Sequence, residues 1–208
     1  MSADHEQDQS DTTALGRLSA SSPEDHTTFR LAQLVILLDE IAPLGAKGLD
    51  LERLGYYDFF SANPFAIFGA EDLVEQAQLH RAAFDERQLS YASTGSRFAN
   101  RRKRLQHDVA LLVAYRLAAQ RGAGYGISDK GNDFASSLTA LYADQYRDSV
   151  RVVHKRFKGL SDSQLAAAVR GWLRTPSLLL DLYGVGDAPA ENFVSTQPAL
   201  GTDRNDRP

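Results

Sequence analysis

The chain has 208 residues, 43% hydrophobic and 24% charged, a composition that sustains one globular domain of ordinary size. Its longest apolar runs, such as Leu34–Leu38, are far short of the ~20 residues of a membrane span. The absence of cysteine excludes disulfides, thiolate metal sites and cysteine nucleophiles, and points to a reducing, cytoplasmic setting.

The net charge of −4 conceals an asymmetry. Residues 97–174 hold 15 Lys and Arg against 6 Asp, and the remainder is strongly acidic. Such a split marks the basic part as a candidate surface for nucleic acid or an acidic partner, unless the charges pair within the fold.

Residues 1–26 are rich in Ser, Thr, Asp, Gln and Glu and bury too little to offset chain entropy, so they read as a disordered acidic tail. Residues 27–184 form the foldable domain, and 185–208 read as a disordered or loosely docked C-terminal tail. Thr27 or Thr28 caps a first helix, Phe29–Ile41, with Leu31, Leu34, Val35 and Leu38 as its buried stripe. A turn through Gly45 and Gly48 leads to a second helix, Leu49–Phe60, broken at Asn63-Pro64. This pair resembles the first half of a helix-turn-helix. The phenylalanines at 59, 60, 65 and 68 read as core packing. A helix over Glu71–Phe84 and a short strand over Leu89–Ser93 follow.

The central stretch, Ser96–Lys158, carries most of the information. A helix over Ser96–Ala119 buries Phe98, Leu105, Val109, Leu112, Val113 and Leu117. Arg97, Arg101 and Arg104 recur at i, i+4 and i+7, flanked by Arg102 and Lys103, and so share one helical face. That face suits phosphate contact by a recognition-type helix or contact with an acidic partner helix. Replacing Arg101, Arg102 and Arg104 with Ala is then expected to weaken DNA binding and leave the fold intact. Gly122, Gly124 and Gly126 lack the spacing and the preceding strand of a dinucleotide fingerprint, and mark a hairpin instead. Ser128 caps a long helix, Asp133–Phe157, with Phe134, Leu138, Leu141, Tyr142, Val150, Val153 and Phe157 on its apolar face. Arg147, Arg151 and Lys155 form a second basic stripe, extended by Lys158. Ser161 and Gln164 have capping-box spacing ahead of a helix through Trp172, and Pro176–Tyr183 reads as a last helix.

The expected architecture is therefore mainly α: a winged helix-turn-helix-like domain with a short β-hairpin wing between disordered termini. The candidate nucleic-acid or partner-binding residues are Arg97, Arg101, Arg102, Lys103, Arg104, Arg147 and Arg151. No catalytic, metal or cofactor constellation assembles. The histidines at 5, 26, 80, 107 and 154 offer no helical metal spacing, and neither a phosphate loop nor a Gly-x-Ser-x-Gly turn occurs.

The segments Phe29–Glu40, Leu51–Pro64 and Arg97–Asp108, with Tyr125–Gly131 followed by Phe134 and Tyr142, are similar to the middle component of bacterial ABC-three component systems. The likeness spans Phe29 to Tyr183 and rests on packing and turn residues. It implies a helical, winged-helix-like adaptor without an enzymatic site. Such a subunit would work beside a Rad50- or SMC-like ATPase and an effector in antiviral defence, with double-stranded DNA as a candidate ligand. The alternative reading is a winged-helix transcription regulator, which would be expected to form a homodimer and read paired half-sites.

Overall fold

A helix that is apolar on most of its circumference must be surrounded, and α1 (Thr27–Ile41) is the element the others surround. Leu34, Val35, Ile36, Leu37 and Leu38 are all essentially inaccessible. The computed structural model describes residues 23–42, 48–85 and 93–174. Against α1 pack α2 (Leu51–Ala62), α4 (Thr94–Ala114), α5 (Asp129–Ser137) and α6 (Leu141–Phe157), while α3 (Leu73–Arg81) lies on α6 and α7 (Asp162–Trp172) meets α2 and α6 through Trp172. The hairpin β1 (Ala118–Arg121) and β2 (Gly124–Ile127) follows α4. The fold is mainly helical, with one short antiparallel pair. Among the described residues, no helix is long and apolar enough to cross a membrane.

Helix starts follow local capping chemistry. Asp50 accepts from the backbone of Arg53, Ser93 from Ser96 and Ser128 from Gly131. At α7 the full capping box forms between Ser161 and Gln164, as their spacing predicts. The hairpin pairs Ala118 with Ile127 and Arg121 with Gly124, turning through Gly122 at φ +64°. Leu49 adds to its edge by two backbone bonds with Tyr125, of 2.8 and 2.7 Å. Gly48, at φ +66°, permits that approach, because a Cβ there would lie 2.9 Å from the Tyr125 backbone.

α1 begins at Thr27 with His26 at its cap position, so Thr27 and Thr28, expected as caps, lie inside the helix, and three helix ends depart further from the sequence reading. α4 stops at Ala114, five residues before Ala119, in a full Schellman motif: Arg116 N–H bonds the Val113 carbonyl and Leu117 N–H that of Leu112. The left-handed position is held by Arg116 at φ +61°, where glycine is usual, so no breaker announces the end. α3 ends at Arg81 by the same device, with Ala83 at φ +57°. The long helix expected over Asp133–Phe157 is two, because the chain turns at Leu138–Ala140. Ser137 Oγ donates back to the Phe134 carbonyl, and the Arg147 guanidinium donates to the carbonyls of Ala135 (2.6 Å) and Leu138 (3.1 Å). The break releases three residues from the expected core: Phe134 is 39% exposed, Leu141 74% and Tyr142 40%.

The aromatic core is as expected. Phe59 and Phe60 pack edge-to-face at 5.1 Å, and Phe60 meets Trp172 at 5.5 Å. Trp172 stacks on Phe157 at 5.8 Å, which closes α7 against α6. Pro23–Asp25, assigned from sequence to the tail, forms a 3-10 turn leading into α1, while residues 1–22 lie outside the described residues. The Leu89–Ser93 strand falls outside them except for Ser93, the helix cap, and the Pro176–Tyr183 helix and the 185–208 tail fall outside them entirely.

Candidate functional site

The arginine stripe of α4 runs along the seam with α1, and its centre, Arg101, is turned into the fold. Arg101 is 8% exposed, and Asp58 of α2 receives two of its hydrogen bonds, at 2.6 and 2.8 Å. A third goes to Gln33 Oε1 at 2.8 Å, and Glu24 lies 3.4 Å from Nη1. Burial works against the charge, but the Asp58 carboxylate outweighs it and holds the guanidinium pKa above its ordinary value. Arg101 is therefore a structural cation and does not present a solvent surface, contrary to its expected role in nucleic-acid or partner contact. Replacing it with Ala would strand Asp58, so the expectation that the triple alanine variant keeps its fold is withdrawn.

The neighbours of Arg101 continue the network. Gln33 Nε2 donates to the Tyr142 hydroxyl at 2.6 Å, and the Tyr146 hydroxyl is fully buried beside them, its pKa driven well up by burial. One turn further along the seam, Arg30 of α1 grips Asp108 of α4 through two bonds, at 2.7 and 3.0 Å. Sequence reading missed both pairs. Their partners lie 43 and 78 positions apart, and no local pattern links them.

The remaining candidates divide. Arg97 is half-buried and hydrogen-bonds Asn63, with its pKa lowered by burial. Arg104 is 41% exposed and lies 3.5 Å from Asp25. Arg102 and Lys103 are exposed, and Arg102 sits 5.9 Å over the Phe98 ring. On α6, Arg147 and Arg151 converge on Glu40 at the far end of α1, Arg147 at 3.9 Å and Arg151 at 2.8 Å. Lys155 and Arg156 pair with Glu75 and Asp72 of α3, both at 3.1 Å. The second basic stripe is thus a set of ties to α1 and α3, and it does not extend the first.

Several large apolar side chains also face outward. Val113 and Tyr115 at the end of α4 are exposed, as are Phe134 of α5 and Leu141 and Tyr142 at the start of α6. Lys130, one turn before Phe134, donates to the Tyr115 carbonyl at 3.1 Å and brings the α4 end beside α5. Phe29 meets Tyr142 with ring centroids 5.1 Å apart. A second, smaller group is Leu73 and Val74 on α3. Among the described residues no cluster of His, Asp and Glu has metal-site geometry. A cleft of about 550 Å³ opens between Arg53, Tyr57, Tyr125 and Asn132, with Asp50, Asp162, Arg121 and Lys158 giving it mixed charge.

A protein-family model described as ABC-three component (ABC-3C) system Middle Component 2 matches residues 30–175. No curated protein and no solved structure matches the chain.

Proposed function

Because the chain belongs to the middle component 2 family of ABC-three component systems, we propose that it is a non-enzymatic adaptor that docks a Rad50- or SMC-like ATPase and an effector subunit. The ATP-dependent and effector chemistry then resides in those partner chains, in a system serving defence against foreign DNA. The observation that carries the adaptor reading is the disposition of side chains. Five of the seven candidate cations, Arg97, Arg101, Arg104, Arg147 and Arg151, have partners within the fold, whereas Phe134, Leu141, Tyr142, Val113 and Tyr115 are offered to solvent. Exposed large apolar groups gathered at one end of a bundle fit a protein partner better than a phosphate backbone.

The test is co-expression with the ATPase encoded beside it. Wild type should co-purify, and Leu141→Asp with Phe134→Asp should lose the complex while the urea midpoint of the isolated subunit stays unchanged. Retention of the complex by that variant would sink the apolar docking surface.

One observation favours the second reading, a winged-helix protein that binds double-stranded DNA. Leu49 pairs with the hairpin between the first two helices, and Arg102 and Lys103 remain exposed on the helix preceding the hairpin. That reading predicts duplex binding that weakens steeply with salt and is lost in Arg102→Ala with Lys103→Ala.

A further inference from the structure

The side of α4 turned away from the core is not the one that holds Arg101. Arg101, Leu105, Asp108, Val109 and Leu112 are its buried residues. At about 100° per residue, the opposite side carries Asn100, Lys103, Gln106 and His107, with Ala99 and Ala110 among them. All six are exposed. Arg104 stands on the flank toward α1, where Asp25 lies 3.5 Å away. Arg102 stands on the other flank, over Phe98 and toward Tyr56 of α2.

This outward side carries no carboxylate. In a chain with 27 Asp and Glu, residues 94–128, α4 through the hairpin, hold seven Lys and Arg and one acid, Asp108. Asp108 is buried and held by Arg30. On α6, by contrast, Arg151, Lys155 and Arg156 each meet a carboxylate. The hairpin follows α4 directly, with Leu49 paired to β2. It exposes Arg121, whose guanidinium is fixed by the Ile127 carbonyl at 2.7 Å.

We propose that this outward side of α4 reads base edges in the major groove of double-stranded DNA, with Asn100, Lys103, Gln106 and His107 toward the bases and Arg102 and Arg104 on the phosphates to either side. It rests on the reading that the chain binds duplex DNA, and it moves recognition from the arginine stripe to its uncharged neighbours. A carboxamide offers a donor and an acceptor together, which match N7 and N6 of adenine, and an ammonium donates to O6 and N7 of guanine. A protein-docking surface carries aromatic or aliphatic anchors at its centre. Here Ala99 and Ala110 keep the surface low instead, so a groove about 12 Å wide admits the helix. Asn100 and His107 lie about 10 Å apart along the axis, the span of about three base pairs. The apolar groups offered to a partner subunit begin beyond this stretch, at Val113.

Selection by the full chain from a random-duplex library tests it. A motif of about three or four base pairs should be enriched, and a change at any one should weaken binding about fivefold or more. Asn100→Ala should lose the preference at one position and His107→Ala at another, each with the helical circular dichroism of the wild type. Arg102→Ala and Arg104→Ala should weaken selected and unselected duplexes alike. Each should lower the slope of log affinity against log salt by about one. Duplex RNA of the same sequence should not compete selectively, because its deep, narrow major groove excludes side chains. Duplex binding without an enriched motif overturns base reading and leaves phosphate contact standing. No duplex binding at low salt overturns both. An enriched motif unchanged in Asn100→Ala and His107→Ala overturns the assignment to this side of α4. Loss of the ATPase complex in those variants, with duplex binding intact, reassigns it to a protein partner.

Discussion

Asp58→Asn probes the centre of the fold with almost no change of shape. In the native protein the Asp58 carboxylate is 6% exposed and Arg101 is 8% exposed, with two hydrogen bonds between them. Asparagine keeps one acceptor but turns an amide donor toward a guanidinium donor and removes the countercharge. Arg101 then keeps Gln33 at 2.8 Å and Glu24 at 3.4 Å, the latter half-exposed and screened. Unit charges about 4 Å apart, the scale of the distance between the charge centres of a hydrogen-bonded pair, interact by about 4 kcal/mol at an effective dielectric of about 20. Stranding one member of a buried pair costs about 3–5 kcal/mol, so the two routes agree. A domain of this size has roughly 5–15 kcal/mol in total and loses about 2–4 °C per kcal/mol, so the melting temperature should fall by roughly 10–15 °C. Urea unfolding followed by the fluorescence of Trp172, stacked on Phe157, reads the free energy directly. Lys103→Ala is the surface control and should change stability by no more than about 0.5 kcal/mol. If Asp58→Asn costs less than about 1 kcal/mol, Arg101 is not held as a buried cation and its assignment to the interior is wrong.

Other substitutions follow from particular atoms. Arg116→Gly relieves the left-handed residue at the end of α4 and should stabilise by about 0.5–1 kcal/mol in the same urea assay, whereas a loss would mean the Arg116 side chain contributes more than the strain it carries. Gly131→Ala places a Cβ 2.0 Å from the Leu117 carbonyl oxygen and should destabilise by about 1–3 kcal/mol; a neutral outcome in calorimetry would contradict that close approach. His154 hydrogen-bonds Tyr57 at 2.9 Å, and burial, with Lys158 and Arg53 nearby, lowers its pKa. The unfolded chain therefore takes the proton first, and stability is lost as pH falls below the unfolded value of about 6.5 toward the lower folded one, at up to about 1.4 kcal/mol per pH unit. His154→Gln should flatten that slope below about pH 6.5, and an identical slope in both proteins would assign it to other groups. Tyr57, pushed up to about 12 by burial, gives the opposite limb: its contribution is intact below pH 10 and lost as pH rises from 10 to 12, which ultraviolet titration of Tyr57→Phe against wild type can read.

Local chemistry was legible in the chain because its partners are only a few residues apart. Ser128 and the Ser161–Gln164 box start helices as their spacing dictates, the glycines at 122 and 124 make the hairpin, and the Leu34–Leu38 run is buried as α1. The mainly helical class and the family likeness rest on such features. Helix ends without a breaker were not legible: Arg116 and Ala83 hold positions where glycine would have signalled a stop, and the turn at Leu138–Ala140 depends on Arg147 reaching back to α5.

Direction was the second quantity withheld from the chain. Spacing placed Arg97, Arg101 and Arg104 on one face, but a helix carries no record of which way that face points. Asp58, Gln33 and Asp108 decided it, because a carboxylate buried on α2 and another on α4 each require a guanidinium within hydrogen-bond reach. The sequence alone determined where most helices begin and that Arg97, Arg101 and Arg104 share a face. Only tertiary packing buried Arg101 at the centre of that face, brought Glu24 and Asp25 to within 3.4 and 3.5 Å of Arg101 and Arg104, and left Phe134, Leu141 and Tyr142 outside. The physical reason is that capping and turn formation act over a few residues, whereas charge burial is settled by groups that meet only when the chain has folded.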